Sequence, residues 1–99
     1  FMTKAYLVKV VSAETGIIRK DVALAVDAFL EAIKDALKDG KHIEIRGYGT
    51  FKLKVRKARV GRNPKTNETV KIPKRVVPTF KFSRILKKAV NKENQSLIK

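Results

Sequence analysis

The sequence predicts a single α+β domain: a helix hairpin base, an antiparallel β-sheet with a long extended β-ribbon arm, and a short C-terminal helix. Three observations carry this. Apolar residues recur at helical spacing as far as Asp39, alternate with polar ones from Lys41, and thin out over residues 56–75, where basic residues and turn formers take over. The chain has 99 residues, 43% of them hydrophobic, so a core is within reach but marginal for one chain, and a partner subunit is expected to help complete it.

Thr3 is placed to cap a first helix whose apolar stripe is Leu7, Val8 and Val11, with Val10 beside it, and Gly16 ends it. A second helix is expected from about Arg19 to Asp39. Val22, Ala25, Val26, Phe29, Leu30, Ile33, Ala36 and Leu37 follow helical spacing along it until Gly40 breaks the pattern. On its polar face Glu31 and Asp35 can pair with Lys34 and Lys38. From Lys41 the period becomes two: Ile43 and Ile45, a turn at Gly47-Tyr48-Gly49, then Phe51, Leu53 and Val55. Basic residues on this second strand occupy even positions (Lys52, Lys54, Arg56) and then odd ones (Lys57, Arg59), a slip that suggests a bulge or a departure from the sheet.

Residues 56–75 read as a ribbon arm with its turn at Gly61-Arg62-Asn63-Pro64-Lys65-Thr66-Asn67. Having little to bury, the arm is expected to order on a partner. After Pro78, Phe80 and Phe82 are expected to return to the core, and Ser83 to cap a helix over 83–90 bearing Ile85, Leu86, Ala89 and Val90. The domain thus spans 2–90, divided into 2–46 (helix hairpin and first strand), 47–82 (sheet and arm) and 83–90, with a frayed polar tail at 91–99. Phe1 ahead of Met2 is read as a remnant, with Met2 as the expected start.

Charge narrows the function. The chain carries 24 Lys plus Arg against nine Asp plus Glu, a formal net charge of +15. Residues 1–51 are nearly neutral at net +1, whereas residues 52–75 hold ten basic groups and one acid, Glu68, for net +9. A merely soluble face would mix both signs. Such concentration is costly through self-repulsion unless a polyanion neutralises it. No cysteine is present, which excludes disulfides and thiolate metal sites, and no apolar run approaches the roughly 20 residues of a membrane span. The expected setting is intracellular, with no cofactor and no metal. His42, the only histidine, lacks neighbours that would make it a general base, no nucleotide-binding fingerprint occurs, and nothing argues for an enzyme.

The arm tip supplies the remaining chemistry. Guanidinium groups can bond phosphates or enter a narrow minor groove, and Asn63 can read base acceptors. Pro64, a flat apolar ring without an N–H, suits a wedge between base pairs. Taken alone it is equally a turn former; its neighbours Arg59, Arg62 and Lys65 favour the wedge, whereas Pro73 and Pro78 shape the return strand.

Arg59-Val60-Gly61-Arg62-Asn63-Pro64-Lys65-Thr66 resembles the arm signature of the bacterial HU/IHF histone-like proteins. The likeness extends from Met2 to about Val90, through Gly47-Tyr48-Gly49-Thr50-Phe51 and Val77-Pro78-Thr79-Phe80-Lys81. It implies an intertwined dimer with a helical base, a saddle of sheets and two arms in the minor groove of double-stranded DNA, in the cytoplasm on the nucleoid. By that resemblance Lys54, Arg56, Arg59, Arg62, Asn63 and Lys65 line the arm, Pro64 intercalates, and Arg75 contacts phosphate. Lys4, Gly47, Ser83 and Arg84 hold the flanking backbone, and Phe29, Tyr48, Phe51 and Phe80 form the core shared between subunits.

Several positions depart from the family pattern. Tyr48 stands where Phe is usual, so its hydroxyl must reach water or a partner. Ile18 replaces a Ser or Thr cap worth about 1 kcal/mol. Phe82-Ser83 replaces Pro-Gly, Val55 and Lys57 make the arm root more apolar and more basic, and the tail is longer. The expected function is architectural: arms that bend or compact DNA with little sequence specificity, as a homodimer, with a heterodimer as the variant. One alternative is an IHF-like, site-selective bending factor. Another is an RNA-associated structural protein, which explains the charge but neither Pro64 at the tip nor the lack of exposed arm aromatics for stacking. An anionic-membrane binder is disfavoured because no helix joins a strongly apolar face to a basic one.

Overall fold

A computed structural model describes residues 1–98. Its elements in chain order are α1 (Lys4–Thr15), α2 (Arg19–Lys38), β1 (Ile43–Ile45), β2 (Gly49–Arg56), β3 (Arg59–Arg62), β4 (Thr69–Ile72), β5 (Arg75–Phe82) and α3 (Arg84–Glu93), followed by a 3-10 turn at Gln95–Leu97. This is the α+β order that the change of period predicts.

The helix ends are set locally. Thr3 Oγ1 accepts the Tyr6 N–H at 3.2 Å, and Gly16, at φ 77°, closes α1 by donating to the Ser12 carbonyl at 3.0 Å. Ile18 offers α2 no side-chain cap, leaving Asp21 in the first turn as the group that complements the helix dipole. Gly40 then ends α2 in a Schellman arrangement: Gly40 donates to the Leu37 carbonyl and Lys41 to that of Ala36, both at 3.0 Å. The two helices pack on each other, with Val8, Val22 and Ile33 as their buried apolar residues, and an exposed Lys4–Asp27 ion pair at 2.7 Å joins them. Glu31 pairs with Lys34 at 3.4 Å, whereas Asp35 and Lys38 form no ion pair among the described residues.

β1, β2 and β5 form one antiparallel sheet in that order. Pro78 is accommodated because β5 is an edge strand, where a missing N–H costs no ladder bond. Registration gives the sheet two unlike faces. Phe51 opposite Phe80, Leu53 opposite Pro78 and Val55 opposite Val76 make an apolar face; Lys52, Lys54, Arg56, Arg75 and Lys81 share the other with Thr50, Val77 and Thr79. The tight turn that starts β2 depends on Gly49, which is buried under the Phe80 ring. A Cβ there would press into that ring and lie 2.6 Å from the Lys81 carbonyl oxygen.

β3 and β4 make the arm as a separate two-stranded ribbon. Pairing lapses at Lys57-Ala58 and, opposite them, at Pro73-Lys74, then resumes with Arg59 opposite Ile72. Equal numbers of residues are skipped on the two strands, so of the two expected readings the bulge is absent and the departure from the sheet is what occurs. The slip in charge phase marks instead the place where the sheet loses its buried face and cations become acceptable on both sides.

The C-terminal region differs from expectation. α3 begins at the Ser83 cap, whose Oγ accepts the Leu86 N–H at 3.1 Å, but runs on to Glu93 rather than ending at Val90. The tail is not frayed over its described part. Asn94 donates to the Val90 carbonyl through both its backbone N–H (3.1 Å) and Nδ2 (2.7 Å), and Gln95 Nε2 reaches back to Asn91 Oδ1 at 2.9 Å. Lys99 lies outside the described residues.

The chain has a radius of gyration of 19.1 Å and extents of 55 × 42 × 29 Å. A compact domain of this length has a radius near 13 Å. Of the apolar residues expected to be internal, Leu7, Val11, Phe29, Leu30, Ile85 and Val90 on the helices, Val55 on β2 and Phe82 on β5 remain exposed. Their periodicity is as expected, but a single chain provides nothing to cover them.

Candidate nucleic-acid interface

The open face of the sheet and the arm form one continuous basic surface. Five cations, Lys52, Lys54, Arg56, Arg75 and Lys81, project from the same side of β2 and β5, with Arg56 directly across from Arg75 at the arm root. Arg59 and Arg62 continue along β3, and Lys65 lies in the tip turn. Among the described residues both ion pairs are in the helices, and none of the ten basic groups between Lys52 and Arg75 has a carboxylate partner. This surface carries its full positive charge into solvent.

The tip is organised around Asn63. Its N–H donates to the Glu68 carbonyl (2.9 Å), its carbonyl accepts from Asn67 (2.7 Å), and its Oδ1 accepts the Lys65 N–H (3.0 Å) in an Asx turn. Asn67 completes the reversal at φ 61°, a left-handed conformation that Asn tolerates. Three of the four polar groups of Asn63 are therefore committed inside the turn, and only the Nδ2 donors are free. The sequence placed Asn63 both among the turn formers and in base contact; what it did not show is that the side-chain oxygen is taken up by the turn. Pro64 is exposed at the first position of the turn.

Below the sheet, Ser83 ties three segments together. Its Oγ donates to the Gly47 carbonyl at 3.0 Å while capping α3, and its N–H donates to the Tyr48 carbonyl at 2.8 Å. Gly47, at φ 79°, and Ser83 are thus in contact although 36 residues apart, and Arg84 follows immediately as the first residue of α3. Lys4 lies apart from this cluster, engaged with Asp27. The aromatic side chains stack beneath the sheet: Phe51 and Phe80 have centroids 4.5 Å apart, Phe80 meets Phe82 edge-on at 4.8 Å, and Tyr48 lies 5.8 Å from Phe80. Phe29 joins none of these ring pairs and is 56% exposed on α2. The Tyr48 hydroxyl makes no hydrogen bond among the described residues, and the residue is 51% exposed.

The bacterial DNA-binding protein family matches residues 2–91. The chain belongs to this HU/IHF family. It is 47% identical to integration host factor subunit beta of Marinobacter nauticus over 91 residues, covering 91% of this chain and 93% of that protein. DNA-binding protein HU of Clostridium pasteurianum is 40% identical, over 92% of this chain and all of that protein. Among solved structures, the chain superposes on HU from an Anabaena HU–DNA cocrystal with a TM-score of 0.85 and 37% identity, covering 90% of this chain and 97% of that one. An HU variant from Thermotoga maritima gives a TM-score of 0.67 at 36% identity, covering 90% and 99%. This chain is accordingly an HU/IHF-type architectural DNA-binding protein of a non-enzymatic family. Among the described residues no helix is long and apolar enough to cross a membrane.

Proposed function

We propose that two copies of this HU/IHF chain pair through their uncovered apolar faces and clasp one DNA duplex between their arms. Phosphates lie along the open faces of the sheets, and Pro64 of each arm wedges into the minor groove and kinks the duplex. The general wedge mechanism is an established mode for architectural proteins of this family. What supports it for this chain is the placement of Pro64, exposed at the tip of a ribbon whose cations have no internal partners.

Pairing is supported by area. The chain exposes 9068 Å², whereas a compact monomer of its mass exposes about 5,700 Å². Part of the excess of roughly 3,400 Å² is the arm; the rest is enough for an obligate dimer, which buries on the order of 1,000–2,500 Å² per subunit. Phe29, Tyr48, Phe51 and Phe80 are the aromatic residues placed in that shared core. Lys4, Gly47, Ser83 and Arg84 hold the DNA that flanks the kinks, and Lys4 must leave Asp27 to do so. The site of action is the nucleoid, and a homodimer suffices because one chain carries every element.

The selectivity follows from the tip. With Oδ1 held in the turn, Asn63 offers only donors, which suit the acceptors of A·T pairs and meet the guanine amino group of G·C pairs unfavourably. Beyond that, easily deformed DNA is preferred over any base sequence. The test is ligase-mediated circularisation of a duplex too short to close unaided, with the intact protein and with Pro64→Ala. The expected result is that the intact protein closes circles and the variant binds but closes fewer; equal closure by both refutes the wedge.

A further inference from the structure

The described end of the chain builds a feature that the family match does not include. Beyond residue 91, where that match stops, the 3-10 turn at Gln95–Leu97 reverses the chain and brings Ile98 over the apolar side of α3. Ile98, Phe82, Leu86 and Val90 then line an open groove of about 500 Å³, with Lys87 on its rim. The reversal is held by the Asn94 and Gln95 side-chain bonds to Val90 and Asn91, so the groove wall is built by the tail itself.

We infer that this groove is a seat for a second copy of the chain and that residues 94–98 are a lip that locks the dimer. The inference rests on the two-copy reading above and adds to it a contribution from the tail. Two observations select this occupant. Phe82 belongs both to the groove and to the stacked aromatic residues beneath the sheet, so the groove continues the surface that pairing would cover. α3 has no extensive contact with α1 or α2 of its own chain, and Ile85 and Val90 stay 74% and 52% exposed.

Closing the groove would remove Ile98, now 66% exposed, from water in both subunits at once. The test is a dilution series by sedimentation velocity on the full chain, on a chain ending at Glu93, on Ile98→Asp and on Ile98→Val. Truncation and Ile98→Asp are expected to raise the dissociation concentration by about tenfold or more, with Ile98→Val close to the parent. At protein concentrations where every form is dimeric, DNA circularisation should be the same for all four. Dissociation at the parent concentration by both the truncated chain and Ile98→Asp overturns the lip and leaves the dimer standing. A parent that is monomeric throughout overturns the pairing itself.

Discussion

Replacing Lys54 and Arg56 together by Ala removes two of the five cations on the open face of the sheet while leaving its apolar face untouched. In a pair of chains the face presents ten such cations. If each releases a counterion from the duplex, this face contributes about −9 to the slope of log K against log salt, and the six left in the double variant about −5.4, on top of what the arms contribute equally to both. Between about 50 and 200 mM salt the face should account for a loss of roughly five orders of magnitude in affinity in the parent and roughly three in the variant. The ratio of the two affinities therefore shrinks by about 150-fold across that range, a signature that loss of fold would not produce. Fluorescence anisotropy on a labelled duplex at four or five salt concentrations reads both slopes. Lys34→Ala serves as the control, since Lys34 lies on α2 and already faces Glu31 at 3.4 Å. A double-variant slope within one unit of the parent, or an equal change in the control, refutes the assignment of the open face to phosphate contacts.

Three further outcomes follow from local geometry. Gly49→Ala drives a methyl group into the Phe80 ring and the Lys81 carbonyl, and should destabilise the fold by about 1–3 kcal/mol, read as a lower denaturant midpoint at unchanged m-value. Ile18→Ser supplies the oxygen that the first turn of α2 lacks and should stabilise by up to about 1 kcal/mol, a rise in Tm of about 4–8 °C by calorimetry. Asn63→Asp keeps an acceptor for the Lys65 N–H but replaces the free donors with a carboxylate oxygen. Competition between A·T-rich and G·C-rich duplexes should then show weaker binding and a lost A·T preference, whereas an unchanged preference would remove Asn63 from base contact.

Much of this protein was legible in its residues because the signals are local. The helical stripe, the alternation from Lys41, the caps at Thr3 and Ser83 and the stops at Gly16 and Gly40 each depend on neighbours within a turn or two, and each lies where the pattern places it. The arm signature around Arg62-Asn63-Pro64 is local in the same sense. One signal left two readings open and another misled. The change of charge phase after Arg56 suggested a bulge or a departure from the sheet; the departure is what occurs, because the core ends there and the pairing register runs through with no inserted residue. The polar composition after Asn91 suggested fraying, but Asn94 and Gln95 use their side chains to satisfy the carbonyls at the end of α3.

The sequence by itself determined the elements, their order, the basic arm and the proline at its tip, because periodicity, capping and turn chemistry act within a few residues. Only the tertiary structure decided which groups meet across the chain: Ser83 on Gly47, Gly49 beneath Phe80, Lys4 on Asp27, and five cations on one side of the sheet. It also decided how little one chain can bury. Periodicity marks which residues are apolar, but whether they are covered depends on how much surface lies opposite them, and here Val8, Val22 and Ile33 alone are buried among the described large apolar residues, none of them completely.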